Sequence, residues 1–272
     1  MPILDIKATH NPHRWYLPVE ERLCVGPPGK AFMFGGVGLA AGVQALQRTT
    51  GRPLIWATAH YLSFARPPSI VDLDVEIPAP GNSVSQARVS AHVGDKEIIT
   101  VNAALGSRDL DISRQWVDAP KVPPPQDCAP VEHWRSDGSD LHGNIELRLA
   151  QGRYGFAHSA GRGASGDGRI IMWMRTRDGL PADAVTLAIF ADHVPGGIGN
   201  ALDLHAGGNS LDNTIRIVNL VETDWVLSEI IIHGIHGGFA HGAQRMFASD
   251  GTLMATGSQS MIVRVHEPPP KQ

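Results

Sequence analysis

The sequence predicts an α+β protein of two tandem units, each an antiparallel sheet wrapped around one central helix. Three observations carry this. At 272 residues the chain is long for one simple core and comfortable for two units of roughly 100 to 150 residues. A long helical pattern followed by a meander of alternating strands occurs twice, in the same order. Thirty glycines and 20 prolines, with charged residues at only 18%, point to short strands, many turns and a partly covered surface.

The elements follow in order. In the first unit, residues 36–47 are rich in glycine and alanine at helical period, and strands are expected at 55–65, 71–77, 83–92 and 97–105. The polar stretch 107–143, with Pro123-Pro124-Pro125 and Ser136-Asp137-Gly138-Ser139-Asp140, reads as a linker. The second unit opens with strands at 145–149 and 169–177. It continues with a helical region at 186–204, interrupted at Pro195-Gly196-Gly197, and with strands at 210–218, 225–233, 239–249 and 253–263. The closing hairpins align, with Arg88 and Arg245 each six residues before a turn glycine, Gly94 and Gly251. The expected division is a first unit at 1–107, a linker at 108–143, a second unit at 144–265 and a loose tail at 266–272 ending in Pro268-Pro269-Pro270. A helix leading into an antiparallel meander buries its apolar side chains under a curved sheet. Two such sheets side by side can pair edge to edge and protect their edge strands.

Composition narrows the function classes. No segment approaches the roughly 18 uninterrupted apolar residues of a membrane helix, and residues 1–15 lack the pattern of a secretory signal, so a cytoplasmic address is expected. A net charge of −4 with scattered basic residues argues against a nucleic-acid surface. Cys24 and Cys128 are too few and too distant for a disulfide framework or a thiolate zinc site. Low surface charge favours self-association into a homo-oligomer through sheet edges.

Several motifs have ordinary explanations. Gly36 to Ala41 matches G-x-G-x-x-A, but the preceding segment is loop-like and the sheets read antiparallel, so close helix packing is preferred over dinucleotide binding. Ala157-His158-Ser159-Ala160-Gly161 resembles a nucleophile elbow without the helix such an elbow needs. His233, His236 and His241 crowd one hairpin with no carboxylate or cysteine at ligand spacing, so no metal is expected. Asp72, Asp74 and Glu76 alternate along one solvated strand face. Asp192 is of more interest, because an unpaired carboxylate in the apolar stretch TLAIFADHVP would be costly to bury; a helix cap or a solvent-facing position is the other reading. Ser210 at a strand start and Gln259 within the last strand each have a plain turn or surface reading when taken alone.

Taken together, Phe34-Gly35-Gly36, Ser63-Phe64-Ala65-Arg66-Pro67, Ser210-Leu211-Asp212-Asn213 and Asp250-Gly251 with Gln259 and Arg264 resemble the acyl-CoA thioesterase II family. The resemblance runs in order over about 30–107 and 144–265, and it implies a double-hotdog fold. It also implies an acyl-CoA substrate hydrolysed without a cofactor, with Asp192, Ser210 and Gln259 as the catalytic residues gathered around one water. Asp192 would act as general base or orient the water, while Ser210 and Gln259 would fix its direction. The amides of Gly35 and Gly36 at a helix N-terminus would serve as oxyanion donors. Tyr61 falls where family members often carry a histidine and is placed with Gly35 and Gly36 among the substrate-binding residues. Val37 stands for a common glutamine and Asn213 for a frequent histidine, which bears on substrate range. A partly desolvated Asp192 should have a raised pKa, with activity falling as pH drops through it.

Two alternatives remain open at this level. An enoyl-thioester hydratase on the same fold usually pairs an Asp with a His five residues later, whereas Gly197 stands at that distance and His193 is adjacent. A non-catalytic acyl-CoA or lipid-binding protein would keep the pocket without turnover.

Overall fold

The computed structural model describes residues 2–27, 29–131, 138–154 and 166–266. The segment 157–161 and the prolines at 268–270 lie outside the described residues. Short strands β1 (Lys7–Ala8), β2 (Arg14–Val19), β3 (Cys24–Val25) and β4 (Phe32–Met33) lead to helix α1 (Gly35–Thr50). The meander β5 (Leu54–Tyr61), β6 (Ser69–Ala79), β7 (Val84–Val93) and β8 (Lys96–Gly106) follows. After β9 (Ala129–Pro130), β10 (Ile145–Gln151) and β11 (Arg169–Thr176) come helix α2 (Ala184–Phe190), a 3-10 helix (Ala191–Gly197) and α3 (Ile198–Leu202). Strands β12 (Ala206–Ser210), β13 (Asp212–Ile217), β14 (Val226–His236), β15 (Phe239–Ala248) and β16 (Leu253–Val265) complete the described chain.

Among the described residues, fourteen strands form one sheet in the order β1-β2-β6-β7-β8-β5-β13-β16-β15-β14-β11-β10-β9, with β12 also on β16. Every pairing is antiparallel, and the two halves meet where β5 pairs with β13, from Trp56 opposite Arg216 to His60 opposite Asp212. Helix α1 packs on β5–β8, and the 3-10 helix packs on β12–β16. α1 and α2 also pack on each other, so both helices sit on the inner face of one continuous sheet.

The local reasons are readable. α1 is apolar nearly all round, with Val37, Leu39, Ala40, Val43, Ala45 and Leu46 fully buried, as expected of a helix enclosed by a sheet. Gly51 ends it in the left-handed region at φ 66°, its N–H donating to Gln47 O. The helix expected at 186–204 breaks, because Pro195 has no N–H to donate and its ring clashes with the carbonyl four residues back, Ala191. Asp183 starts α2 by accepting from Thr186 N at 2.8 Å.

The structure differs from expectation in several elements. β5 stops at Tyr61 rather than running to 65, since the Leu62 and Ser63 amides both turn to Ile98 O while Ala65 O accepts from Met33 N. Strand β12 was hidden because Gly207-Gly208 reads as a turn, and β1 and β2 because charges and Pro18 break their alternation. The stretch expected as a linker is in part a strap. Val117, Ala119 and Val122 pack with Cys128 on a second apolar cluster of Ile171, Trp173, Leu227, Phe247 and Leu253, and Trp173 Nε1 donates to Pro123 O at 2.9 Å. The sheet ends in two-residue strands, β1 and β9, the latter containing Pro130, so both edges are blunted. Edge-to-edge association therefore has only two residues of ladder at either end.

Candidate active site

The break at Pro195 places Asp192. It sits at φ −90°, ψ 25°, outside helical values, directly after α2, and is 5% exposed. Its carboxylate turns across the molecule to the N-terminus of α1, where Gly36 N donates to Oδ2 at 2.7 Å. Phe34 offers α1 no side-chain cap and the first turn holds no acidic residue, so the helix of one half is capped by a carboxylate of the other. The close approach requires glycine. A Cβ on Gly36 would lie 2.6 Å from Ile189 O, and one on Gly35 would lie 2.6 Å from Asp192 Oδ2.

Asp192 Oδ1 receives two side chains from the sheet. Ser210 Oγ donates to it at 3.1 Å from the corner where β12 ends and β13 begins. Gln259 Nε2, from β16, makes a short contact with the same oxygen and also donates to Ser210 Oγ at 3.0 Å. The structure thus brings together Asp192, Ser210, Gln259 and Gly36, which are separated by up to 223 residues in the chain. Burial pushes the Asp192 carboxyl up to about 6, against the lowering pull of its bonds to Gln259, Gly36 and Ser210.

Both glycine amides were expected to face a developing oxyanion, but that of Gly36 is committed to Asp192. Tyr61 lies beside this contact, its Cε1 and Cζ each 3.1 Å from the point a Gly35 Cβ would occupy. Its hydroxyl pKa is held well above the ordinary value, chiefly by burial and then by the Asp192 charge.

Other residues singled out from the sequence lie elsewhere. His193 is enclosed by Phe34, Tyr154 and Phe190, and its Nδ1 faces Phe190 O at 3.1 Å. His233, His236 and His241 are exposed on β14 and β15. Asp74 pairs with Arg14 and His92, and Glu76 with Arg88, as cross-strand surface contacts. Sequence reasoning gave Asn213 only as a departure. The structure buries it completely, on the inner face of β13 beside Ala59. The signal was an amide two residues before the apolar Ile215, on a strand whose alternation puts residues 213 and 215 on the same inward face.

The chain matches the family described as the acyl-CoA thioesterase N-terminal domain over residues 26–106, and that described as the acyl-CoA thioesterase C-terminal domain over 125–263. A candidate thioesterase from Novosphingobium aromaticivorans is similar at 34% identity and TM-score 0.83, covering 94% of this chain and 97% of that one. Acyl-CoA thioesterase II TesB2 from Mycobacterium marinum aligns at 22% identity and TM-score 0.72 over 97% of this chain and 98% of its own. A protein of unknown function with the hot dog fold from Alicyclobacillus acidocaldarius aligns at 17% identity and TM-score 0.82, over 97% of each chain, and shows that fold here. No curated protein sequence matches. With both domain families matched in order along its length, the chain belongs to the acyl-CoA thioesterase family and is a thioester hydrolase.

Proposed function

We propose that the protein is a double-hotdog acyl-CoA thioesterase. In this reading Asp192 is the general base, and Ser210 and Gln259 hold it and one attacking water. The observation that carries this is the hydrogen-bond count at the carboxylate. Gly36 N, Ser210 Oγ and Gln259 Nε2 take three of the roughly four acceptor positions a carboxylate offers. One position is left for a further donor. Because Gln259 Nε2 is committed to Asp192 and Ser210, its Oε1 is buried and free to accept the second O–H of that water.

The water oxygen attacks the thioester carbonyl carbon while its proton passes to Asp192. The tetrahedral intermediate then collapses, the C–S bond breaks, and the proton on Asp192 goes to the departing thiolate. Water rather than Ser210 is the nucleophile in this reading: Ser210 Oγ donates to Asp192 and accepts from Gln259, and both contacts hold it beside the base as part of the water's seat. A hydratase would pair Asp192 with a histidine five residues on, where Gly197 stands, and the adjacent His193 ring packs among Phe34, Tyr154 and Phe190.

The test is release of free CoA from a panel of short, medium, long and aromatic acyl-CoAs, detected with a thiol reagent. Wild type releases CoA, with kcat/KM falling as pH drops through about 6, where Asp192 takes up its proton. Asp192→Asn abolishes release. Tight acyl-CoA binding without release in the wild type would instead favour a lipid-binding role, and a rate flat between pH 5 and 8 would remove Asp192 as the base.

A further inference from the structure

Next to the Asp192 cluster lies a second set of polar groups that the water-holding arrangement does not use. Tyr61 carries a fully buried hydroxyl, and Asn213 is 0% exposed; neither the Tyr61 hydroxyl nor either Asn213 amide atom makes a well-aligned hydrogen bond among the described residues, while the Asn213 amide bears on the Tyr61 hydroxyl closely enough to lower its pKa against the effect of burial. Leaving a buried polar atom unpaired costs on the order of 1–3 kcal/mol, so two such residues side by side need a reason.

Their placement supplies one. β5 and β13 pair with Asn213 opposite Ala59, two residues before Tyr61 on the same strand face. Ala57, Ala59 and Ile215 on this face are fully buried towards the helices. Across the sheet, Thr214 pairs with Ser258 on β16, so the next rung sets Asn213 against Gln259. Tyr61, Asn213 and Gln259 therefore stand on three adjacent strands and face inward. The Tyr61 ring and Asp192 Oδ2 approach the same point beside Gly35, at 3.1 and 2.6 Å.

We infer that Tyr61 and Asn213 form the donor pair that seats the thioester carbonyl oxygen, opposite the water held by Asp192 and Gln259. The inference rests on the thioesterase reading and adds the half of the site that the Asp192 cluster lacks.

The chemistry fits. As the water attacks, its proton neutralises Asp192 while negative charge moves onto the carbonyl oxygen, so the site carries one negative charge throughout. Such an oxygen requires fixed neutral donors rather than a cation. Burial and the neighbouring Asp192 keep the Tyr61 hydroxyl protonated at any working pH, and the Asn213 amide offers two N–H groups. Of the two helix-terminal amides expected as donors, that of Gly36 already serves Asp192, and that of Gly35, beside the Tyr61 ring, stands next to the pair.

The pair is tested with Tyr61→Phe, which keeps the ring against Gly35 and removes one oxygen, and with Asn213→Leu, which replaces both unpaired amide atoms at similar volume. On the acyl-CoA that wild type cleaves fastest, each variant should lose about 10²-fold in kcat with KM changed by no more than a few-fold. Thermal unfolding should show Asn213→Leu at least as stable as wild type, because an unpaired buried amide has gone.

A second readout needs no turnover. A carbonyl-¹³C ketone analogue of that acyl-CoA, with CH₂ in place of the thioester sulfur, should show its infrared carbonyl band moved to lower frequency when bound to wild type, and less so in Tyr61→Phe. If both variants keep kcat within about threefold, or the band is the same in wild type and Tyr61→Phe, the donor pair is overturned while the thioesterase reading stands. A wild type that cleaves no acyl-CoA in the panel overturns both.

Discussion

Asp192 is held in the fold at a cost, and the sign of that cost can be measured. Burial raises its pKa from 3.8 to about 6, so between those values the folded chain keeps a proton that the unfolded chain has released. Stability therefore falls as pH rises through this window and stays lower above it, by up to about 3 kcal/mol for a shift of this size. Asp192→Asn removes the charge. The new amide can keep Gly36 N on its oxygen while Ser210 Oγ, or a rotated Gln259 Oε1, accepts from its nitrogen. The expected result is an inactive protein more stable than wild type at pH 7 and little different at pH 4, measured by urea unfolding at both pH values. A less stable variant at pH 7 would mean the carboxylate is worth more as a cap than it loses by desolvation. The aspartate's oddity was legible in the sequence, where a charge interrupts the apolar stretch TLAIFADHVP. Its partners were not, because Gly36, Ser210 and Gln259 reach it from distant parts of the chain, and only their order resembles a known family.

The contact between α1 and the end of α2 determines where those side chains can meet. Gly36→Ala would drive a Cβ to within 2.6 Å of a backbone carbonyl, Ile189 O, and 2.9 Å of Asp192 Cβ, neither of which can swing aside. Separation of the helices is expected, lowering stability by about 1–3 kcal/mol and removing most of the turnover. Gly38→Ala, half a turn on, meets only the flexible ends of Ile99 and Met33 at 3.2 and 3.3 Å. It also gains up to about 1 kcal/mol of helix propensity, so stability should hold or rise and turnover should persist. Thermal melts and CoA release on the two variants check this, and equal effects would show that helix flexibility, not close approach, is what glycine provides. At this scale the sequence was informative wherever the signal is local. The period of α1, the break at Pro195-Gly196-Gly197 and the alternation of β6–β8 and β14–β16 all describe a residue and its near neighbours. β12 was lost because Gly207-Gly208 has no side-chain pattern; only its partner β16 makes it a strand. The strap at 117–122 was lost for the same reason, since its apolar residues are recognised only by the outer sheet face they cover.

Whether the two halves behave as one molecule follows from what crosses between them. The β5–β13 ladder makes the sheet continuous, and Thr58 and Thr214 hydroxyls meet on its other face at 2.9 Å. On the inner face, Gly36 N is bonded to Asp192. The N-terminal segment adds a further crossing, with Ile3 N donating to Asp178 Oδ2 at 3.0 Å and Asn144 Nδ2 to Arg22 O at 3.2 Å. One large apolar cluster runs from Ile3 to Met261 and includes residues of both helices and both halves of the sheet. The proposed site as a whole is not complete within one half: α1 supplies the cap contact and β5 supplies Tyr61, while Asp192, Ser210, Asn213 and Gln259 come from the other side. Unfolding one half would expose the inner face of the other, so a single cooperative transition is expected despite the doubled architecture. Urea titration followed in parallel by far-UV circular dichroism, tryptophan fluorescence and CoA release should give coincident midpoints. Loss of CoA release at a lower urea concentration than loss of secondary structure would show instead that the β5–β13 seam opens before either sheet melts, and that the site depends on a contact weaker than the halves it joins.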